Sequence, residues 1–176
     1  PMMGTAPTMQ IEENLALAAR RGQHRGLKWG ITKAERAEYR KCLHALDLGL
    51  EDRMTAKVGL LSGGQRQALT LLMAALQQPK LLLLDEHTAA LDPRTAAKVL
   101  DLSDRIVQEH GLTTLMITHN MKDAIAHGNR LIMMNAGKIV FDISGEEKKR
   151  LTVDDLLHAF TLSTAEEFAN DRILLS

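Results

Sequence analysis

The sequence predicts an α/β protein in which a helical region precedes a parallel sheet, and three observations carry that prediction. Leu81-Leu82-Leu83-Leu84 is an unbroken apolar run that ends abruptly at Asp85-Glu86, the pattern of a strand covered on both faces. Thr113-Thr114-Leu115-Met116-Ile117-Thr118 reads as a second buried strand, ending at His119. Between them, Asp92-Pro93 supplies an N-cap followed by proline at the first helical position. Strand, helix, strand, helix in this order implies parallel strands with right-handed crossovers. The predicted organisation is a helical subdomain over 1–78, a sheet core over 79–143 and an acidic helical tail over 144–176.

Taken in order, the first helix begins near Thr8, with Ile11, Leu15 and Ala18 on one face. A loop with Gly22, Gly26 and Gly30 follows, and Thr32 with Glu35 has capping-box spacing for a second helix towards Leu46. Ser62 and Gln65 repeat that spacing before a helix through Leu76. The helix opened by Asp92 should end near Gly111, and a short one runs from His119 to about Gly128. Arg130–Asn135 and Lys138–Asp142 form a hairpin around Asn135-Ala136-Gly137. In the tail, Ser144 with Glu147, Thr152 with Asp155 and Thr164 with Glu167 are three further cap signals.

Composition removes several function classes. With 45% hydrophobic and 25% charged residues the 176-residue chain is an ordinary globular one. Lys plus Arg and Asp plus Glu both number 22, so no overall field favours nucleic acid, membrane or acidic ligands. Aromatics are only 3%, which argues against a base-stacking platform. Cys42 stands alone, so neither an internal disulfide nor a cysteine-cluster metal site is expected. No stretch approaches the ~20 apolar residues of a membrane span, and Pro1-Met2-Met3-Gly4-Thr5 lacks the basic and apolar regions of a secretory signal. The expected location is the cytoplasm or a membrane's cytoplasmic face. Locally, Arg20 to Lys41 carries eight positive residues against Glu35 and Glu38, a solvated face or a docking surface.

Four motifs bear chemistry. Leu61-Ser62-Gly63-Gly64-Gln65 opens a helix with a hydroxyl and two glycines, which reads either as an anion site at a helix N-terminus or as an ordinary capped start. Asp85 and Glu86 leave the end of a parallel strand, where ligands collect in α/β sheets. There Asp85 could hold Mg²⁺ and Glu86 could polarise a water for attack on phosphorus, or the pair is a plain strand exit. His119 ends the other strand, and Ala89-Ala90-Leu91-Asp92 is at least an N-cap.

In order and spacing, these motifs resemble the ATPase subunits of ATP-binding cassette (ABC) transporters. Leu61-Ser62-Gly63-Gly64-Gln65 resembles the family signature, Leu81 to Asp85 the Walker B strand, Glu86 the catalytic glutamate, Ala89 to Asp92 the D-loop and His119 the switch histidine. The resemblance implies the C-terminal half of a P-loop (RecA-like) ATPase core, with Asp85 serving Mg²⁺, Glu86 the attacking water and His119 the γ-phosphate of ATP. Ser62, Gly63, Gly64 and Gln65 would contact the ATP held by a second subunit, with Asp92 tying the two sites together. It also implies an importer-type subunit docked on a transmembrane permease, the basic segment facing that partner rather than nucleic acid.

Two features depart from the pattern. His87 and Ala89 stand where the family commonly has proline or alanine and serine, and His87 is read as touching the nucleotide or holding local structure. No Gly-x-x-x-x-Gly-Lys-Ser/Thr occurs, since Gly137-Lys138 is followed by Ile139 in the hairpin. The chain therefore reads as a C-terminal portion, inactive alone, of a longer ATPase. A soluble, non-transport ABC ATPase and a non-catalytic remnant bearing only the signature face are the other readings.

Overall fold

The computed structural model describes residues 4–23 and 30–162, and the chain divides into two units, Pro1–Ile117 and Thr118–Ser176. In the first, α1 (Ile11–Ala19) starts where the backbone N–H of Gln10 donates to Glu13 Oε2 at 2.7 Å. Its Ile11, Leu15 and Ala18 are buried, as their helical spacing predicts. Buried Asn14 accepts from the Ala6 N–H and donates to the carbonyls of Ala6 and Gln10, so its amide is satisfied where water cannot reach it.

The second helix, α2 (Lys33–His44), begins at the predicted Thr32–Glu35 box. The Thr32 backbone N–H, the Arg20 guanidinium and the Thr32 hydroxyl, in that order of effect, hold the Glu35 carboxyl down to about 2. Across to α1, Arg36 grips the buried Glu12 carboxylate with two hydrogen bonds of 2.7 and 2.8 Å. Three cations of the basic run thus serve internal ion pairs, Arg20 with Glu35, Arg36 with Glu12 and Arg40 with Asp52. Arg25 and Lys28 of the same run lie outside the described residues.

Helix α3 (Gly63–Ala75) supplies Ala68, Leu69, Leu71 and Leu72 to the core, together with Leu43, Leu50 and Val58. After it come β1 (Leu82–Asp85), α4 (Pro93–His110) and β2 (Thr114–Ile117), with β1 and β2 parallel and Leu84 opposite Met116. α4 stops at Gly111, whose φ of 59° is the left-handed closure that a glycine accepts without a Cβ penalty. Burial along β1 alternates, and this corrects the expectation of strands covered on both faces. Leu82 and Leu84 are buried, whereas Leu83, Leu115 and Ile117 are 64%, 51% and 52% exposed. Among the described residues of this unit, the side chains of Leu82 and Leu84 on one side of the two-stranded sheet are covered, and Leu83, Leu115 and Ile117 on the other are not.

The second unit holds α5 (Met121–Ala126), an antiparallel hairpin of β3 (Arg130–Asn135) and β4 (Lys138–Ser144), and α6 (Gly145–Lys149). The hairpin turns through Ala136 and Gly137, both at positive φ, the geometry that suits the twist of a two-residue loop. Lys148, the buried residue of α6, donates to the carbonyls of Ile125 and His127 at the end of α5. A further helical stretch over 153–162 starts on the reciprocal Thr152–Asp155 box, and the Thr164–Glu167 signal lies outside the described residues.

α3 packs on α4, and their first turns meet at Gly64. A Cβ there would stand 2.2 Å from the Thr95 methyl. We expect Gly64→Ala to lower stability by about 1–2 kcal/mol, the overpacking cost exceeding the ~1 kcal/mol that alanine gains over glycine in a helix. In a Thr95→Ser background, which removes only that methyl, the same change should become neutral or stabilising. Urea unfolding of the four chains measures both, and equal losses in the two backgrounds would disprove the contact's role.

Candidate functional site

Two helix starts and one strand exit assemble the predicted residues of the first unit. Ser62 caps α3 by accepting from the Gln65 N–H at 3.2 Å, while its own N–H donates to Gln65 Oε1 at 3.2 Å. The hydroxyl hydrogen is not used by that cap, so Ser62 can still donate to an anion at the exposed helix start. The two glycines differ. Gly63 is exposed, with Leu91 3.4 Å from where its Cβ would lie, whereas Gly64 is buried against Thr95. Gln65 also donates from Nε2 to the Leu48 carbonyl at 3.4 Å.

Asp92 caps α4, with Oδ1 accepting from the Thr95 N–H at 3.1 Å. Hydrogen bonds from the Thr95 side chain and then its backbone draw the Asp92 carboxyl below its ordinary 3.8. The Ser62 to Gln65 segment and the Ala89 to Asp92 segment are therefore brought side by side through Thr95, a residue that sequence patterning did not single out.

Asp85 and Glu86 are both exposed at the carboxyl end of β1. Glu86 adopts φ 43°, a left-handed conformation uncommon outside glycine, asparagine and aspartate. Its N–H donates to the Ile117 carbonyl at 3.0 Å and its carbonyl accepts from Ala89 at 3.0 Å, so the backbone is pinned on both sides. Such strain persists only where the surroundings over-determine it. His87 Nε2 lies 3.1 Å from the hydroxyl of buried Ser103 on α4, a partner that no sequence spacing signalled.

His119 belongs to the second unit. It sits in a tight turn where the Asn120 N–H donates to Thr118 Oγ1 at 3.1 Å and Asn120 Oδ1 caps α5. Among the described residues no group of three or more His, Cys, Asp or Glu could enclose a metal. A lone exposed Asp85 suits Mg²⁺ held mainly by substrate phosphates and water, and does not suit a protein-built cage.

The sequence profile of the family described as "ABC transporter" matches residues 3–89. The tyrosine transport ATP-binding protein of Clostridioides difficile is 47% identical over 161 residues, covering 91% of this chain and 63% of that protein. The chain belongs to the ABC transporter ATPase family. The aliphatic sulfonates import ATP-binding protein SsuB of Escherichia coli is 35% identical over 152 residues, covering 81% of this chain and 58% of that protein. Among solved structures, the ADP conformation of MJ1267, an ATP-binding cassette of an ABC transporter, aligns with a TM-score of 0.68 at 25% identity. That alignment covers 88% of this chain and 63% of the cassette. The dimeric post-hydrolysis state of the cassette MJ0796, bound to ADP and Pi, gives 0.64 at 28% identity over 81% of this chain and 59% of its own. The chain thus spans less than two thirds of these relatives. The ABC ATPase fold predicted from the motifs stands, as does its parallel strand pairing.

Because its carboxyl is drawn below the ordinary value, Asp92 stabilises the fold above the carboxylate range and loses that contribution as pH falls below 3.8. Asp92→Asn keeps a capping oxygen but cannot ionise. The Tm difference between the parent chain and this variant should therefore be largest at neutral pH and shrink on acidification. A difference independent of pH would refute the charged cap.

Proposed function

We propose that this chain is the C-terminal part of the ATP-hydrolysing subunit of an ABC importer, and that its activity needs a phosphate-binding half besides these 176 residues. The observation that carries the reading is the exposed Asp85-Glu86 pair at the carboxyl end of a parallel strand, with Glu86 held in a strained backbone. Import is supported by the relatives, which are named for tyrosine transport and for uptake of aliphatic sulfonates and phosphonates. The 47% identity to the first makes an amino acid the solute to test first. The need for a second half is supported by the shorter span and by the bare sheet face of Leu83, Leu115 and Ile117.

In this reading Glu86 accepts a hydrogen bond from the attacking water and orients it in line with the γ-phosphate, while His119 donates to that phosphate. Asp85 would hold Mg²⁺, which when bound supplies the charge that neutralises the phosphate oxygens. The Ser62 hydroxyl and the Gly63, Gly64 and Gln65 segment present donors to the ATP of a second subunit, and Asp92 sits beside them at the dimer seam. Dimerisation is supported by the dimeric cassette to which the chain is similar. The partners are that second subunit and a permease, through which the chain sits peripherally at the cytoplasmic face. Among the described residues no helix is long and apolar enough to cross a membrane.

The 176-residue chain by itself should not turn over ATP, and purified chain with activity abolished by Glu86→Gln would contradict that. In a longer chain carrying the Gly-x-x-x-x-Gly-Lys-Ser/Thr half, Glu86→Gln should cut turnover by ~10²-fold or more. ATP affinity should stay within a few-fold, and an ATP-bound dimer should accumulate. Parallel loss of binding and turnover would make Glu86 structural instead.

A further inference from the structure

We propose that His87, tethered to Ser103, is a positioning residue that sets the orientation of the Glu86 carboxylate; this rests on the reading of Glu86 given above. The tether follows from hydrogen-bond bookkeeping. Ser103 has one hydroxyl hydrogen, and it goes to the Val99 carbonyl, 2.8 Å away and one helical turn earlier. The hydroxyl can then only accept from the imidazole, so His87 Nε2, at 3.1 Å, carries the proton. The contact thereby selects one tautomer and one ring orientation.

Its anchor is rigid. α4 spans 18 residues and buries Val99, Leu100, Leu102 and Ile106, and Ser103 itself is only 4% exposed. On the other side of Glu86, the N–H bond to Ile117 fixes the strand exit. Glu86 is therefore held between the end of β2 and a fixed point on α4, in the left-handed backbone that an unconstrained glutamate would leave. Rotating the peptide between Glu86 and His87 back to an ordinary conformation would shift the His87 backbone and so work against the contact of its ring with Ser103.

Placement of a water-orienting carboxylate governs turnover steeply, since a displacement of about 1 Å can cost on the order of 10²-fold. Nucleotide affinity depends on other groups. Loss of the tether should therefore appear in kcat and not in KM.

The test is steady-state ATPase in the longer chain, with His87→Ala, His87→Gln, Ser103→Ala and the His87→Ala/Ser103→Ala pair. His87→Ala and Ser103→Ala should each lower kcat by roughly tenfold with KM for ATP within twofold. The double variant should be no slower than either single one, because both remove the same contact. Gln places an amide N–H near the position of Nε2, so His87→Gln should recover most of the rate. Unchanged kcat in His87→Ala, KM rising in step with any fall in kcat, or no recovery with Gln would overturn the proposal. Should His87→Ala fail to fold, Ser103→Ala and His87→Gln still decide it by the same kcat-against-KM comparison. Glu86→Gln run alongside separates the two claims. If it abolishes turnover while His87→Ala does not, only the positioning role falls; if it leaves turnover intact, the reading of Glu86 itself falls.

Discussion

The close approach of α3 to α4 at Gly64 and Thr95 is the constraint on which the site geometry depends. Thr95 faces two ways at once. Its methyl occupies the volume a Cβ on residue 64 would need, and its backbone N–H and side chain bond Asp92. One β-branched residue thus seats the glycine of one helix start against the cap of another. A larger residue at 64 would push the two starts apart, and a residue at 95 without the hydroxyl would weaken the Asp92 cap. Gly64 is explained by packing here, before any ligand is considered.

A second constraint acts at the strand exit. A parallel strand must leave its ladder somewhere, and here it does so at Glu86, whose N–H makes the last bond across to Ile117. Turning there through positive φ directs the chain into the Ala89 to Asp92 segment and hence to the α4 cap. The acidic pair, the tight turn and the capped helix are consecutive parts of one backbone path. Changing the turn would move Asp92 as well as Glu86.

The caps and turns were legible because their chemistry is local. Thr32 with Glu35, Ser62 with Gln65, Asp92 before Pro93, Gly111 and Ala136-Gly137 each act within four residues of themselves, and each does what its spacing implies. Boundaries slipped by up to three residues, with α1 starting at Ile11 and not near Thr8, α2 ending at His44 and β4 running on to Ser144, and Ser144 opens α6 without the side-chain cap bond that its spacing to Glu147 implied. The candidate site was legible as motifs and not as contacts. Thr95 against Gly64 and Ser103 against His87 join residues 31 and 16 positions apart, and neither pairing leaves a periodic or capping signature. The positive φ of Glu86 was equally hidden, since glutamate gives no hint of a left-handed turn.

The one-sided sheet shows why an apolar run overstates burial. Leu81 to Leu84 contains enough leucine for two covered faces, but among the described residues only Leu82 and Leu84 of this run are buried. Leu81, Leu83, Leu115 and Ile117 remain 51–64% exposed. Full burial of such a side chain contributes roughly 1.5–3 kcal/mol, so covering the remaining half of all four would add on the order of 3–6 kcal/mol. That is comparable to the whole net stability of a small domain, about 5–15 kcal/mol. The leucine run is therefore composed for a sheet with a layer on each side, and the energy held back on its exposed face is large enough to bind a second layer rather than merely tolerate one.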